Sequence, residues 1–176
     1  MRKATARIAG LAVLIGALAA AGTAAATCGG GGLSSARSAT AGFHQLDRAM
    51  AAGYTAKVVD VNGISCIAQP GEGAMGIHYL NQGLLDDSVS ARSPEILVFE
   101  PRTHGKPRLV ALEYLAIKSV WDATHSGPPT LFGRTFDETP AGNRYGLPAF
   151  YSLHAWVWLH NPSGMFAMWN PNVHCR

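Results

Sequence analysis

The chain has 176 residues, and 48% of them are hydrophobic, so it is long enough for one folded domain with a substantial core. Of its 14 basic residues, Arg2, Lys3 and Arg7 lie in the first seven positions, whereas all 11 acidic residues lie further along. Without that first stretch the charges balance, 14 − 3 = 11 basic against 11 acidic groups. This balance excludes the basic excess with which proteins bind nucleic acid or anionic lipid.

The start of the chain has the pattern of a secretory signal peptide. A basic segment precedes an apolar run over residues 8–21, and three consecutive alanines at 24–26 supply a small-residue cleavage site. A membrane anchor is the alternative, but the run is shorter than the ~20 residues of a membrane span. We therefore predict a secreted or cell-envelope protein with a signal peptide (1–26), a flexible Gly/Ser linker (27–41) and one folded domain (42–176).

The three cysteines are Cys28, Cys66 and Cys175. Because an exported chain meets an oxidising compartment, we predict a disulfide between Cys66 and Cys175, the two cysteines of the folded domain. Cys28 precedes the glycines at 29–32, as a lipid-modified cysteine before a tether would, although Thr27 stands where a lipoprotein signal has a smaller residue. Plain secretion and membrane attachment through a lipid on Cys28 both stay open.

Taken in chain order, the first predicted element is a helix over residues 36–54, in which Phe43, Leu46 and Met50 recur at helical spacing. Residues 57–67 alternate and turn at Asn62-Gly63, which predicts a β-hairpin. A glycine-rich loop follows and leads into a short apolar segment that contains His78.

The second half of the chain reads as strands separated by turns. Residues 95–100 and 109–120 are predicted to pair as an antiparallel hairpin. Residues 121–146 are rich in Pro, Gly, Asp and Thr and predict a long irregular segment, of a kind that is often functional. An aromatic strand over 149–160 and a short partner strand over 165–169 close the chain. The predicted fold class is α+β, with one N-terminal helix packed on a curved, mainly antiparallel sheet.

Four motifs in the mature chain are distinctive: GAMGIH at 73–78, LVFEP at 97–101, NRYGLPAFY at 143–151 and NPSGMF at 161–166. Through them the chain from residue 42 onward resembles a family of uncharacterised secreted bacterial proteins. The resemblance implies secretion and a single domain. That family carries no assigned activity, so the resemblance transfers no catalytic residue.

Strand alternation places polar residues among apolar neighbours. Glu113 is expected to share a face with Leu109 and Ala111, and a carboxylate among aliphatic side chains must be paired, protonated or metal-bound. His154 is expected to lie in the aromatic strand, and His78 in the apolar segment after the glycine loop. A simple pairing of Glu113 with a cation such as Arg144 is the alternative.

Two imidazoles and a carboxylate on adjacent strands are a sufficient ligand set for Zn, Cu, Mn or non-haem Fe. The sequence therefore offers a divalent transition metal site at His78, Glu113 and His154, with Glu100 as a candidate fourth group. No compact spacing motif such as HExxH is present. Candidate pocket residues, which could equally belong to a core, are Tyr79, Tyr114, Trp156, Trp158 and Arg144.

Three functional interpretations follow. The leading one is a secreted accessory domain that binds a metal ion or another small molecule. The first alternative is a secreted metal-dependent enzyme that uses the same two-His/carboxylate site, with Glu100 as a general base. The second is a structural or interaction domain in which these polar residues form a hydrogen-bonded network. An open coordination position beside a pocket would favour the enzyme, and a closed, fully satisfied site would favour a structural role.

Overall fold

The structure is a computed structural model that describes residues 30–175, so the predicted signal peptide and Cys28 lie outside the described residues. The helices are α1 (Gly30–Thr40), α2 (Leu46–Ala51) and α3 (Lys118–Trp121), with 3₁₀ turns at Ala41–His44 and Gln82–Leu84. The strands are β1 (Ala56–Lys57), β2 (Cys66–Gln69), β3 (Gly73–Leu80), β4 (Ile96–Glu100), β5 (Arg108–Ile117), β6 (Thr130–Leu131), β7 (Arg134–Thr135), β8 (Asp137–Thr139) and β9 (Phe150–Ala155). Within this range, none of the helices has the length and apolar character that a bilayer span needs.

The sheet confirms the predicted α+β class. Seven strands pair antiparallel in the order β1-β3-β4-β5-β9-β8, with β2 also paired to β3, while β6 and β7 form a small separate ribbon. The predicted hairpin is present as β4 and β5, in which Ile96 lies opposite Glu113. Helices α1 and α2 cover one face of this open sheet.

The N-terminal region differs from the sequence prediction. The single helix expected over 36–54 is broken, because Gln45 adopts an extended conformation between the 3₁₀ turn and α2. Helix α1 also occupies most of the segment expected to be a flexible linker. Composition suggested a tether, but Leu33 and Ala36 recur at helical spacing and pack into the core. Arg37 Nε then donates a hydrogen bond to the Val157 carbonyl (3.0 Å) and ties the helix to the end of the sheet.

The predicted hairpin over 57–67 forms its turn but not its pairing. Gly63 N–H donates to the Asp60 carbonyl (2.8 Å), as expected for a tight turn at Asn62-Gly63. The flanking strands β1 and β2, however, both pair with β3 rather than with each other. Residues 59–65 therefore form a loop between two short strands that both pair with β3. A two-stranded hairpin on its own is only marginally stable, whereas pairing with β3 makes both strands part of the main sheet.

The C-terminal part also corrects one prediction. Residues 165–169 form no strand: β8 pairs with the first half of β9, with Asp137 opposite Ser152, and Met165 makes a single backbone hydrogen bond there, from Trp156 N–H to its carbonyl (2.9 Å). The segment after Ala155 instead folds as turns, in which Asn161 accepts from Ser163 N–H (3.0 Å) and donates to the Trp169 carbonyl (2.9 Å).

Two features fix this C-terminal segment across the sheet. The predicted disulfide is confirmed, with Cys66 and Cys175 joined at a Cα–Cα distance of 5.5 Å. Shortly before Cys175, Asn170 and Ala74 of β3 exchange two backbone hydrogen bonds, each 3.1 Å long. Gly73 permits this approach, because a Cβ there would lie 2.2 Å from the Asn170 carbonyl oxygen.

The two faces of the sheet carry separate apolar clusters. The helix-covered face holds Leu97, Phe99 and Tyr114, and the second face holds Ile96, Val98, Ala111, Leu115, Phe150 and Trp156. A register shift between Val98 and Phe99 turns Leu109 to the helix-covered face. The expectation that Leu109 accompanies Glu113 was therefore wrong, because a β-bulge breaks the simple alternation.

Candidate metal centre

Three strands bring His78, Glu113 and His154 together on the second face of the sheet. Glu113 on β5 and His154 on β9 are direct cross-strand partners. His78 on β3 lies opposite Val98 of β4, so β4 separates it from β5. Strands two apart are separated by about 9–10 Å, a gap that an imidazole and a glutamate side chain can close by reaching toward each other.

The ligand-type atoms of these side chains form a nearly regular triangle. The distance from His78 Nε2 to His154 Nε2 is 3.4 Å, and that from His78 Nε2 to Glu113 Oε2 is 3.5 Å. The third side, from His154 Nε2 to Glu113 Oε2, is 3.8 Å. The predicted ligands therefore converge, and among the described residues they are the group whose geometry suits a metal ion.

Burial sets the charge state of the centre. His78, Glu113 and His154 are only 4%, 6% and 5% exposed. Burial lowers the pKa of each histidine to about 4, an effect that the neighbouring Glu113 partly opposes at His78. Burial raises the pKa of Glu113, while His78 and a hydrogen bond with Ser152 act in the opposite direction. At neutral pH both imidazoles are therefore uncharged and carry a lone pair that a metal can use.

The spacing of the triangle is unfavourable for a hydrogen-bonded network. Hydrogen bonds between nitrogen and oxygen atoms are about 2.7–3.2 Å long, so the two sides that end at Glu113 are too long for a good one. The contact between the two imidazole nitrogens, at 3.4 Å, is a long hydrogen bond. His78 Nδ1 is also buried and forms no hydrogen bond of good geometry among the described residues, although a backbone contact with Gly76 opposes the burial that lowers the pKa of this histidine. The groups thus lie close together without satisfying one another, which is costly in a buried site.

The same spacing suits a shared cation. Tetrahedral coordination with bonds of about 2.0–2.2 Å places ligand atoms about 3.3–3.6 Å apart, whereas neighbouring octahedral ligands would lie at about 2.8–3.1 Å. Two sides of the triangle fall in the tetrahedral range, and the third exceeds it slightly. Three protein ligands also leave a fourth tetrahedral position.

Two cavities meet at the triangle. The first, called here the apolar cavity, has a volume of about 70 Å³ and reaches His78 and Glu113. Its remaining walls include Leu80, Leu85, Ile96, Leu115, Ile117 and Leu147. The second, called here the outer groove, has a volume of about 330 Å³ and reaches Glu113, Ser152 and His154. Tyr145 and Phe150 line both and so stand between them.

A polar contact clamps two loops beside these cavities. Arg144 donates to Asp60 Oδ2 at 2.9 Å, and its carbonyl accepts from Val61 N–H at 2.8 Å. Hydrogen bonding to Arg144 and to the Asp60 turn lowers the pKa of Asp60. Arg144 lines the outer groove, but its guanidinium pairs with Asp60 rather than with Glu113. The alternative pairing of Glu113 with Arg144 is therefore not formed.

The predicted fourth ligand does not join the centre. Glu100 lies at the end of β4, where Arg108 directly opposite donates to its Oε2 at 2.7 Å. Its Oε1 accepts from the His174 backbone N–H at 3.2 Å. With both oxygens engaged by other groups, Glu100 is placed neither to ligate the ion nor to act as a general base there.

The candidate pocket residues separate by face. Tyr79, Tyr114 and Trp158 pack with the helix-covered cluster, where the Tyr114 hydroxyl donates to the Ala91 carbonyl. Trp156 is fully buried on the second face, with its ring centroid 6.2 Å from that of His154. Of the five, Arg144 lines one of the two cavities.

The sequence pattern gave no site role to two residues that wall the centre, Tyr145 and Leu147. Both lie within the motif at 143–151, so the available signal was the concentration of aromatic and turn residues there. Comparison with protein-family models, with curated proteins and with solved structures finds no match for this chain.

Proposed function

We propose that this protein binds one divalent transition metal ion through His78 Nε2, Glu113 Oε2 and His154 Nε2 and presents it to a small ligand. Zn²⁺ fits best, because its usual ligands are imidazole and carboxylate and its usual coordination is tetrahedral. The observation that carries the proposal is the buried triangle with sides of 3.4, 3.5 and 3.8 Å.

Electrostatics support the same assignment. When it is ionised, Glu113 is a buried negative charge beside two neutral imidazoles, and it has no cationic side-chain partner within residues 30–175, since Arg144 is paired with Asp60. A divalent cation would neutralise that charge and use both imidazole lone pairs at once. The confirmed disulfide is consistent with the predicted export of the protein, and export itself remains a prediction.

Metal content is the direct test. The mature, untagged protein is dialysed against Zn²⁺ and then analysed by elemental mass spectrometry beside Glu113→Gln, which keeps the side-chain shape. The exposed His160 provides the matched control, His160→Gln. We expect about one Zn²⁺ per chain in the wild type and the control, and loss of most of it in Glu113→Gln.

Two further measurements distinguish loss of the metal site from misfolding of a variant. Co²⁺ substitution gives the visible absorption of a tetrahedral ion only if the ligands surround it, and circular dichroism shows whether each variant is folded. A folded wild type that stays empty after incubation with Zn, Cu, Mn and Fe salts would rule the proposal out.

Catalysis at this centre is the second candidate, favoured by the fourth coordination position and the adjoining cavities. A Zn²⁺ ion with an open position can activate water or polarise a carbonyl group. Glu113 is the carboxylate that lines both cavities, and as a ligand it would be engaged by the metal. Hydrolysis of chromogenic short-chain esters that follows Zn²⁺ content would support an enzyme, and a metal-loaded protein with no such activity would favour ligand binding.

A further inference from the structure

The apolar cavity differs from an ordinary packing defect because an imidazole and a carboxylate lie side by side, 3.5 Å apart, at one place in a mainly apolar lining, called here its polar end. His78 and Glu113 form that end, while aliphatic side chains, among them Leu85, Ile96 and Leu147, form most of the remaining wall. An ordered water would be held at that end alone, because a buried water needs two to four polar partners and the aliphatic walls offer none. A molecule that complements this cavity has one polar end and an apolar body.

The centre specifies the polar end. Zn²⁺ with one ionised carboxylate ligand and two neutral imidazoles carries a net charge of about +1, so an anionic oxygen ligand suits its fourth position. The walls specify the apolar end. At about 70 Å³, the cavity has about half the volume of a 150 Å³ cavity that holds the six carbons of benzene, which leaves room for about three carbon atoms.

We propose that the ligand of this centre is a short-chain aliphatic carboxylate, with its carboxylate on the metal and a tail of about three carbons in the apolar cavity. This inference rests on the proposed metal site and adds the chemical class and size of the ligand to it. Tyr145, which lines both cavities, closes the side of the tail toward the outer groove.

Chain-length dependence tests the proposal. The Co²⁺-loaded full chain is titrated with acetate, butanoate and octanoate, and the change in its visible spectrum gives each dissociation constant. Each buried methylene is worth about fourfold in affinity, so butanoate should bind about 15-fold more tightly than acetate. Octanoate should bind no more tightly than butanoate, because the cavity cannot hold its tail.

A cavity-filling variant separates the tail from the metal. Leu147→Trp places a bulky ring at a half-buried cavity wall on a loop, and Val59→Trp places the same ring at an exposed position next to the lining residue Val58. Leu147→Trp should lose the gain from acetate to butanoate, measured on protein whose Co²⁺ content has been determined. Val59→Trp should behave as the wild type does.

The outcomes distinguish this proposal from the one it rests on. Protein without bound Co²⁺ or Zn²⁺ would overturn the metal site and this inference together. Metal-loaded protein that binds acetate and butanoate equally, or Leu147→Trp with an unchanged chain-length preference, would overturn this inference alone.

Discussion

The substitution Glu113→Gln should make the metal-free protein more stable while removing its response to Zn²⁺. Glu113 is 6% exposed, and burial raises its pKa, so its carboxylate is in an unfavourable environment without a metal. A glutamine of the same shape carries no charge. Its amide group also supplies two N–H donors, which match the two lone pairs at His78 Nε2 and His154 Nε2.

The magnitudes follow from the two environments. Relief of a buried, poorly compensated charge is worth about 1–3 kcal/mol in the metal-free protein. At about 2–4 °C per kcal/mol for a domain of this size, the melting temperature should rise by about 2–12 °C. Zn²⁺ at 100 times its dissociation constant should stabilise the wild type by about 2.7 kcal/mol and the variant by far less.

The melting temperatures of the wild type and of Glu113→Gln are each measured with chelator and with Zn²⁺, by calorimetry or by thermal unfolding followed with circular dichroism. The expected pattern is a crossing: the variant is more stable than the wild type in chelator, and Zn²⁺ stabilises the wild type alone. His160→Gln should follow the wild type in both conditions. The reasoning is refuted if Zn²⁺ raises both melting temperatures equally, or if the metal-free variant is the less stable protein.

Two further predictions concern the frame around the centre. Replacing Cys66 and Cys175 by serine opens a loop with a sequence separation of 109. The free energy of unfolding, measured in urea, should fall by about 4–5 kcal/mol. A fall below about 1 kcal/mol would show that other contacts hold this segment. Burial raises the pKa of Glu95 to about 8, although the Leu115 N–H donates a hydrogen bond to its carboxylate. The stability that the protonated side chain provides is therefore complete below about pH 4 and is lost as the pH rises through 8. Glu95→Gln should therefore reduce the fall in unfolding free energy between pH 5 and pH 9 by on the order of 4 kcal/mol, and an unchanged pH slope would contradict this account.

Local patterns in the sequence predicted part of the site. Alternation correctly marked Glu113 and His154 as polar groups in apolar strands. The disulfide between Cys66 and Cys175 was predicted from the oxidising compartment that an exported chain meets. Alternation also suggested Glu100 as a ligand, but its real partner depends on the β4–β5 register, which places Arg108 directly opposite. Register is set by turns and bulges, whose positions a residue pattern only partly reveals.

Other parts of the structure depend on contacts distant in sequence. Nothing near His78 indicates that β3 will lie two strands from β5, because strand order is decided by the packing of the whole sheet. Tyr145 and Leu147 reach the centre from a loop, where no periodicity gives side-chain direction. The helical start at Gly30 was missed because a Gly/Ser-rich composition outweighed the apolar spacing of Leu33 and Ala36.

The three proposed ligands are separated by 35 and 41 positions along the chain, and a strand that contributes none of them lies between two of them. No short peptide of this protein therefore contains the chelating group, and the denatured chain offers only scattered single ligands. Metal capture would have to wait until the sheet is assembled, and loss of the sheet would release the ion in the same event. The protein would then take its ion from the compartment in which it folds, and that compartment's supply would govern which metal it carries.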